Sequence, residues 1–231
     1  MRFIAHRGCP RKELENTIES FIAAGCGKYY GIETDFTLIK DESVIIYHDD
    51  DLNRLAGINR NTRDLTIEEA KEIKLNKKGT YHTYDYKIAS PLEYLRICKH
   101  YEKIPVIDIK WGFTTEDIDE LMKLLIEEEM YHQSIIICYT MEIVLYIRRN
   151  YPDYQVQFLM GMLFSEKNVE ICLENKIDID IRHDLLSKEL VDRFHQEGLI
   201  VNCWTVDTEE DLKKVTEYGV DFVTTNVFEE R

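Results

Sequence analysis

Glu33 and Asp35 lie two residues apart in "GIETDF" (31–36), a stretch that reads as a β-strand. Both carboxylates therefore leave one face, while Ile32, Thr34 and Phe36 leave the other. Buried unpaired charge is costly, so that face must meet water or a cation. Other polar groups stand where strand-like runs end: His6-Arg7-Gly8 after "RFIA", His48-Asp49 after "VIIY", and Asp108 and Lys110 in "PVIDIKW" (105–111). Oxygen-only ligands suit a hard divalent cation, Mg²⁺ or Ca²⁺, better than zinc. Glu33 and Asp35 are expected to share one such ion, with Asp108 as third ligand; the ion would anchor an anionic oxygen and stabilise developing charge. Arg7, through its fork, and Lys110, as a point charge, are expected to hold phosphate oxygens. His6 and His48 supply the imidazoles that acid–base chemistry near neutral pH calls for, one expected to remove a proton and one to donate it. A metal, two phosphate-binding cations and two histidines describe phosphodiester cleavage.

Residues so scattered need a fold that gathers them. Eight strand-like runs recur: 2–8, 31–37, 105–111, 134–139, 156–162, 177–181, 199–207 and 221–226. Amphipathic helical patterns lie between them, such as "EDIDELMKLLIEEEM" and "SKELVDRFHQEG". Strand alternating with helix implies a parallel sheet, and eight repeats predict a closed (β/α)8 barrel of the TIM type, an α/β fold. In that fold the strand C-termini and the loops after them build the site. Trp204 ends the seventh run and joins the expected site. An open doubly wound sheet is the alternative, but "HRGCP" lacks the glycine pattern of a dinucleotide loop. "VIIYH" (44–48) follows the second run too closely for a parallel crossover and is expected to form a hairpin above it. Residues 50–90 read as a polar, irregular insertion between strands two and three, with one helix at "TIEEAKEI". The whole of 1–231 is expected to be one barrel domain.

Composition narrows the partners. A formal net charge of −15 argues against sequence-independent nucleic-acid binding and against tight docking on anionic membranes. No apolar run reaches membrane-spanning length, and nothing in the sequence indicates an oligomer. The six cysteines are scattered, without a C-x-x-C pair, and read as reduced structural residues, so the chain is expected in the cytoplasm.

The combination of "HRG" (6–8), "ENTIESF" (15–21), "GIETDFTLIKD" (31–41) and "HDDDLNR" (48–54) resembles the glycerophosphodiester phosphodiesterase family. "PVIDIKW", "NCWTVD" (202–207) and "YGVDFVTTN" (218–226) extend the resemblance over nearly the whole chain. It implies a (β/α)8 barrel with a divalent cation, His6 and His48 as the catalytic pair, and Glu33, Asp35 and Asp108 as metal ligands. It further implies phosphate contacts from Arg7 and Lys110, an aromatic at the substrate mouth in Trp204, and release of glycerol 3-phosphate and an alcohol. In the family the substrate's own glycerol hydroxyl attacks phosphorus first, giving a cyclic phosphate that water then opens. Two positions depart from the pattern. Asp108 stands where the family carries Glu, and Thr225-Asn226-Val227-Phe228 stands for Thr-Asp-x-Pro. A lysophospholipid substrate at the same site and a phosphate-binding barrel without turnover are the competing readings. The lysophospholipid reading calls for an apolar ramp at the mouth, and 76–88 is tyrosine-rich but not strongly apolar.

Overall fold

The structure, a computed structural model, describes residues 1–76, 86–162 and 164–230. In chain order its strands are β1 (Arg2–Ala5), β2 (Gly31–Leu38), β3 (Val44–Ile46), β4 (Lys74–Leu75), β5 (Tyr86–Lys87), β6 (Ile104–Ile109), β7 (Ile135–Cys138), β8 (Gln155–Met160), β9 (Asp178–Arg182), β10 (Val201–Trp204) and β11 (Phe222–Thr225). Eight of them run parallel as β1-β2-β6-β7-β8-β9-β10-β11, and β11 pairs back with β1 to close a barrel. The eight-stranded barrel is the expected fold. The short antiparallel β3 rides on the end of β2, pairing Phe36 with Ile46, which is the expected hairpin.

The helices are α1 (Ile18–Gly25), α2 (Asn53–Ala56), α3 (Ile67–Glu72), α4 (Pro91–His100), α5 (Thr115–Glu127), α6 (Met141–Asn150), α7 (Glu166–Glu174), α8 (Lys188–Gln196) and α9 (Glu209–Tyr218). Their starts are written in hydroxyl caps. Thr17, Ser90, Thr114, Ser187 and Thr208 each accept a bond from a free backbone N–H of the first turn. The main core lies between barrel and helices. There Ile32, Phe36, Ile107, Ile109, Ile136, Phe158, Ile179 and Val201 face outward from their strands onto helix residues such as Phe21, Tyr94, Leu125 and Phe194. Inside the barrel a smaller apolar cluster, including Ile4, Val106, Ile135, Ile137 and Leu159, forms a floor. Strand parity thus leaves the polar members of each strand aimed into the barrel's upper end.

Residues 50–90 are less irregular than expected. Besides the expected α3, capped by Thr66 and Glu69, they hold α2, a 3₁₀ turn (Thr62–Asp64) and the β4–β5 pair. These short pieces share a core of their own, in which Leu52, Leu55, Leu65, Ala70, Ile73 and Leu75 pack against Ile39, Ile45 and Tyr47. No single element there is long enough for its apolar period to show in the sequence. The tyrosine-rich stretch 76–88 lies mostly outside the described residues.

Candidate active site

All eight residues expected to carry chemistry line one pocket at the C-terminal end of the barrel: His6, Arg7, Glu33, Asp35, His48, Asp108, Lys110 and Trp204. Parallel register sets Asp35 of β2 directly beside Asp108 of β6. Glu33, Asp35 and Asp108 are all buried, and each offers an oxygen within 4.8 Å of the others'. Asp108 Oδ1 has no hydrogen-bond partner among the described residues. The aspartate in place of the family's glutamate therefore still reaches the cluster. A compact trio of carboxylate oxygens with one left unanswered fits a hard divalent cation.

Lys110 Nζ lies against Asp35 Oδ1 at 2.6 Å and also against Asp108. Arg7 Nε is 3.2 Å from Asp35 Oδ2, and the Arg7 backbone N–H donates to Glu33 Oε2 at 2.9 Å. Strand parity alone would put His6 and Arg7 on opposite faces. The chain leaves β1 at Ala5 and turns, with Arg7 at φ +53° and Gly8 at φ +85°. A Cβ on Gly8 would sit 2.4 Å from Ser20 Oγ, so glycine is needed there on two counts. Asn16 donates to Asp35 Oδ2 at 2.6 Å and accepts from Thr34 at 2.8 Å, fixing the carboxylate's plane.

Charge in this cluster is sorted unevenly. Burial opposes ionisation of Asp35, but Lys110 and Arg7 outweigh it and hold its carboxyl well below the usual range. Burial, reinforced by Asp35 and Asp108, pushes Glu33 well up. Burial likewise raises Asp108 despite Lys110 beside it. The lysine, desolvated yet flanked by Asp108 and Asp35, is held above its ordinary value.

The two histidines are oriented by different devices. Asn226 Nδ2 donates to Asp207 Oδ2 at 2.6 Å, which turns its Oδ1 toward His6 Nδ1 at 3.0 Å. An acceptor there requires the proton on Nδ1, leaving the Nε2 lone pair for the pocket. Burial, with Arg7 beside it, pushes the His6 imidazole down to about 4, so it is neutral near pH 7. His48 sits at the mouth with Nδ1 2.7 Å from Asp49 Oδ1. Arg54 binds Asp49 (2.6 Å) and grips Glu15 with two N–H groups (both 2.7 Å), while Glu15 also accepts from Arg7 at 2.8 Å. A continuous chain, Arg7–Glu15–Arg54–Asp49–His48, therefore ties the first loop to the insertion.

Sequence reasoning assigned no role to Glu15, Arg54, Asp180, Tyr139, Asp207 or Asn226. Glu15, Arg54, Asp207 and Asn226 sit in or beside the motifs noted above, and only their contacts reveal their roles. Asp180 stands alone in an apolar run and carried no spacing signal. The pit lined by the eight expected residues together with Tyr139 and Asp180 encloses about 50 Å³, several times the roughly 10–15 Å³ that one water occupies. It opens to a mouth of about 300 Å³ shared by His48, Arg63, Lys110, Trp111, Tyr139, Met162, Arg182 and Trp204. Trp111 stacks on Tyr139 there, ring centroids 5.9 Å apart. A Cβ on Gly161 would meet the Trp204 ring at 3.3 Å, so glycine lets the indole lie over the backbone.

The model of the glycerophosphoryl diester phosphodiesterase family matches residues 6–230. The chain belongs to that family. Its activity is therefore that of a phosphoric diester hydrolase acting on glycerophosphodiesters. A glycerophosphodiester phosphodiesterase of Caldanaerobacter subterraneus subsp. tengcongensis is 26% identical over 228 residues, covering 96% of this chain and 93% of the relative. Solved structures agree in fold. An Oleispira antarctica phosphodiesterase in complex with its product sn-glycerol-3-phosphate superposes with TM-score 0.83 at 19% identity, over 98% of this chain and 93% of that one. A glycerophosphodiester phosphodiesterase from Parabacteroides distasonis gives TM-score 0.81 at 23% identity, over 97% and 92%. No helix among the described residues is long and apolar enough to cross a membrane.

Proposed function

We propose that the chain cleaves glycerophosphodiesters to glycerol 3-phosphate and an alcohol, with His6 as general base, His48 as general acid and a divalent cation held by Glu33, Asp35 and Asp108. Mg²⁺ or Ca²⁺ at that trio supplies a Lewis-acid charge for phosphoryl oxygens. The remaining chemistry falls to this chain's own side chains. His6 Nε2 takes the proton of the attacking glycerol hydroxyl as its O–P bond forms. The P–O bond to the departing alcohol breaks, and His48 gives that oxygen a proton. With the two roles reversed, water opens the cyclic phosphate. Arg7 and Lys110 face the same pit, where their remaining N–H groups reach phosphate oxygens. The observation that carries this reading is the Asp207–Asn226 clamp, which fixes His6 as an acceptor aimed at the acids and cations.

The test is release of glycerol 3-phosphate from a panel of glycerophosphodiesters with and without chelator. Release that survives full chelation would sink the metal assignment. A second reading is favoured by one feature of the mouth. Trp111 (53% exposed), Met162 (95%) and Phe164 (38%) make an apolar lip beside the pocket, suited to a long-chain leaving group such as a monoacylglycerol. A higher kcat/KM on lysophospholipids than on short glycerophosphodiesters would establish that preference.

A further inference from the structure

Asp180 projects from β9 into the barrel, is 1% exposed, and lines the catalytic pocket opposite Arg7 and Lys110 in strand order. Its side chain takes no hydrogen bond or ion pair from any described residue, and Oδ1 is buried and unanswered. The fold does not require a carboxyl there. Leu159, its register partner on β8, is apolar. Asn202, its register partner on β10, satisfies its amide on Gln157 at 3.3 Å and Thr224 at 3.4 Å. A buried carboxyl without a partner destabilises the folded chain, so its presence points to a ligand that completes it.

A second orphan lies two residues further along the neighbouring strand. Trp204 Nε1 is buried, lines the same pocket and has no acceptor among the described residues. One orphan accepts and the other donates. A phosphate oxygen satisfies the indole but offers Asp180 Oδ1 no proton to accept; a cation satisfies the carboxyl but leaves the N–H unpaired. An alcohol hydroxyl, like the water it would displace, donates and accepts at once and so matches both, and unlike water it arrives tethered to the phosphate. The cationic side of the pit, with Arg7 and Lys110, suits the phosphate, so a hydroxyl attached to that phosphate through a short carbon chain falls toward β9 and β10.

We propose that Asp180 and Trp204 Nε1 form a hydroxyl-recognition subsite that selects the glycerol moiety of the substrate. This deepens the phosphodiesterase reading and rests on it. Asp180 accepts the hydroxyl proton, and the indole N–H donates to the same oxygen. Removing either partner costs discrimination between hydroxylated and plain alkyl phosphates while leaving phosphate binding intact.

Calorimetric titration of the full chain with glycerol 3-phosphate, propyl phosphate and inorganic phosphate tests this. The wild type should prefer glycerol 3-phosphate to propyl phosphate by about tenfold or more, the scale of a hydrogen bond to a charged group. Asp180→Leu should abolish that preference, keep inorganic phosphate within about twofold, and melt no lower than wild type, because it removes an unanswered buried carboxyl. Trp204→Phe should reduce the preference by a smaller factor, and it decides the matter if Asp180→Leu does not fold. An unchanged preference in Trp204→Phe and Asp180→Leu overturns the subsite, as does parallel loss of inorganic phosphate affinity. A wild type that binds none of the three ligands overturns the phosphodiesterase reading as well. A wild type that shows the hydroxyl preference but releases no glycerol 3-phosphate from diesters overturns that reading and leaves the subsite standing.

Discussion

On the wall of the pocket made by β1, β2 and β6, three buried carboxylates stand among two cations, and Asp35 alone takes Lys110, Arg7 and Asn16. On the wall made by β9 and β10, Asp180 is buried as deeply and takes nothing. The first wall is complementary to itself. It carries its own counter-charges, and breaking any pair leaves a buried charge exposed to the low-dielectric interior. The second wall is complementary to something outside the chain. Substitutions should therefore have opposite effects on stability: damaging where a first-wall carboxylate carries its own ion pairs, neutral or favourable on the second wall.

The largest effect is expected at Asp35. Asp35→Asn takes one carboxylate from Lys110 and from Arg7, leaving them Asp108 and Glu15, so activity should vanish and stability should fall by about 3 kcal/mol, the lower end for a broken buried pair, read by denaturant melts. The pH dependence of that loss has a definite sign. The folded-state pKa of Asp35 is depressed, so its stabilisation is present above the unfolded value of about 3.9 and is lost as pH falls below it. The gap between wild type and Asp35→Asn, measured without added metal, should close as pH drops through that range. Glu33→Gln sharpens the point. Among the described residues Glu33 accepts only the Arg7 backbone N–H, and burial raises its pKa, so the variant should weaken metal binding in calorimetry with little loss of melting temperature.

Next come the histidines. His6→Ala and His48→Ala should each lose about 10²–10⁴ in kcat while still binding metal. Near-normal turnover in both would end the acid–base assignment. A substrate with an acidic leaving group should partly restore His48→Ala and not His6→Ala, because its alkoxide departs without a proton.

Asp207→Asn tests the clamp behind His6. Loss of the carboxylate frees the Asn226 amide to turn, so kcat/KM should fall by about 10–100-fold, typical of a residue that orients a catalytic group. The charge of Asp207 also raises the His6 pKa, so its removal should move the acid limb of the pH–rate profile to lower pH. A limb that moves upward contradicts the arrangement. The smallest effect belongs to the lip. Trp111→Ala should raise KM a few-fold for long-chain substrates and leave short ones unchanged, since one exposed contact contributes on the order of 1 kcal/mol.

How much of this was readable beforehand follows from how local each signal is. The barrel was legible because its strands and helices repeat their periods eight times, and the site because five of its eight residues, His6, Arg7, Glu33, Asp35 and His48, cluster in three short motifs near the N-terminus. Strand ends were read too long past Ala5, Trp204 and Thr225, where the reading ran on into residues that lie outside the strands. The small core under the insertion was missed because its leucines are spread over elements of two to six residues. Asn226 looked like a departure from the family's aspartate. Its partner Asp207, nineteen residues away, restores a carboxylate behind His6, and no local pattern announces such a relay. Asp180 was invisible for the opposite reason, since only the absence of a partner marks it out.

Lys110 has one more consequence. In small zinc domains the ion is the last piece of the fold, and without it the chain stays open. Here the ammonium that lies between Asp35 and Asp108 is part of the polypeptide, so the acids meet a positive charge the moment β2 and β6 come together. The barrel can close with no ion at hand, and loading of the proposed cation would then be a separate, later and reversible event.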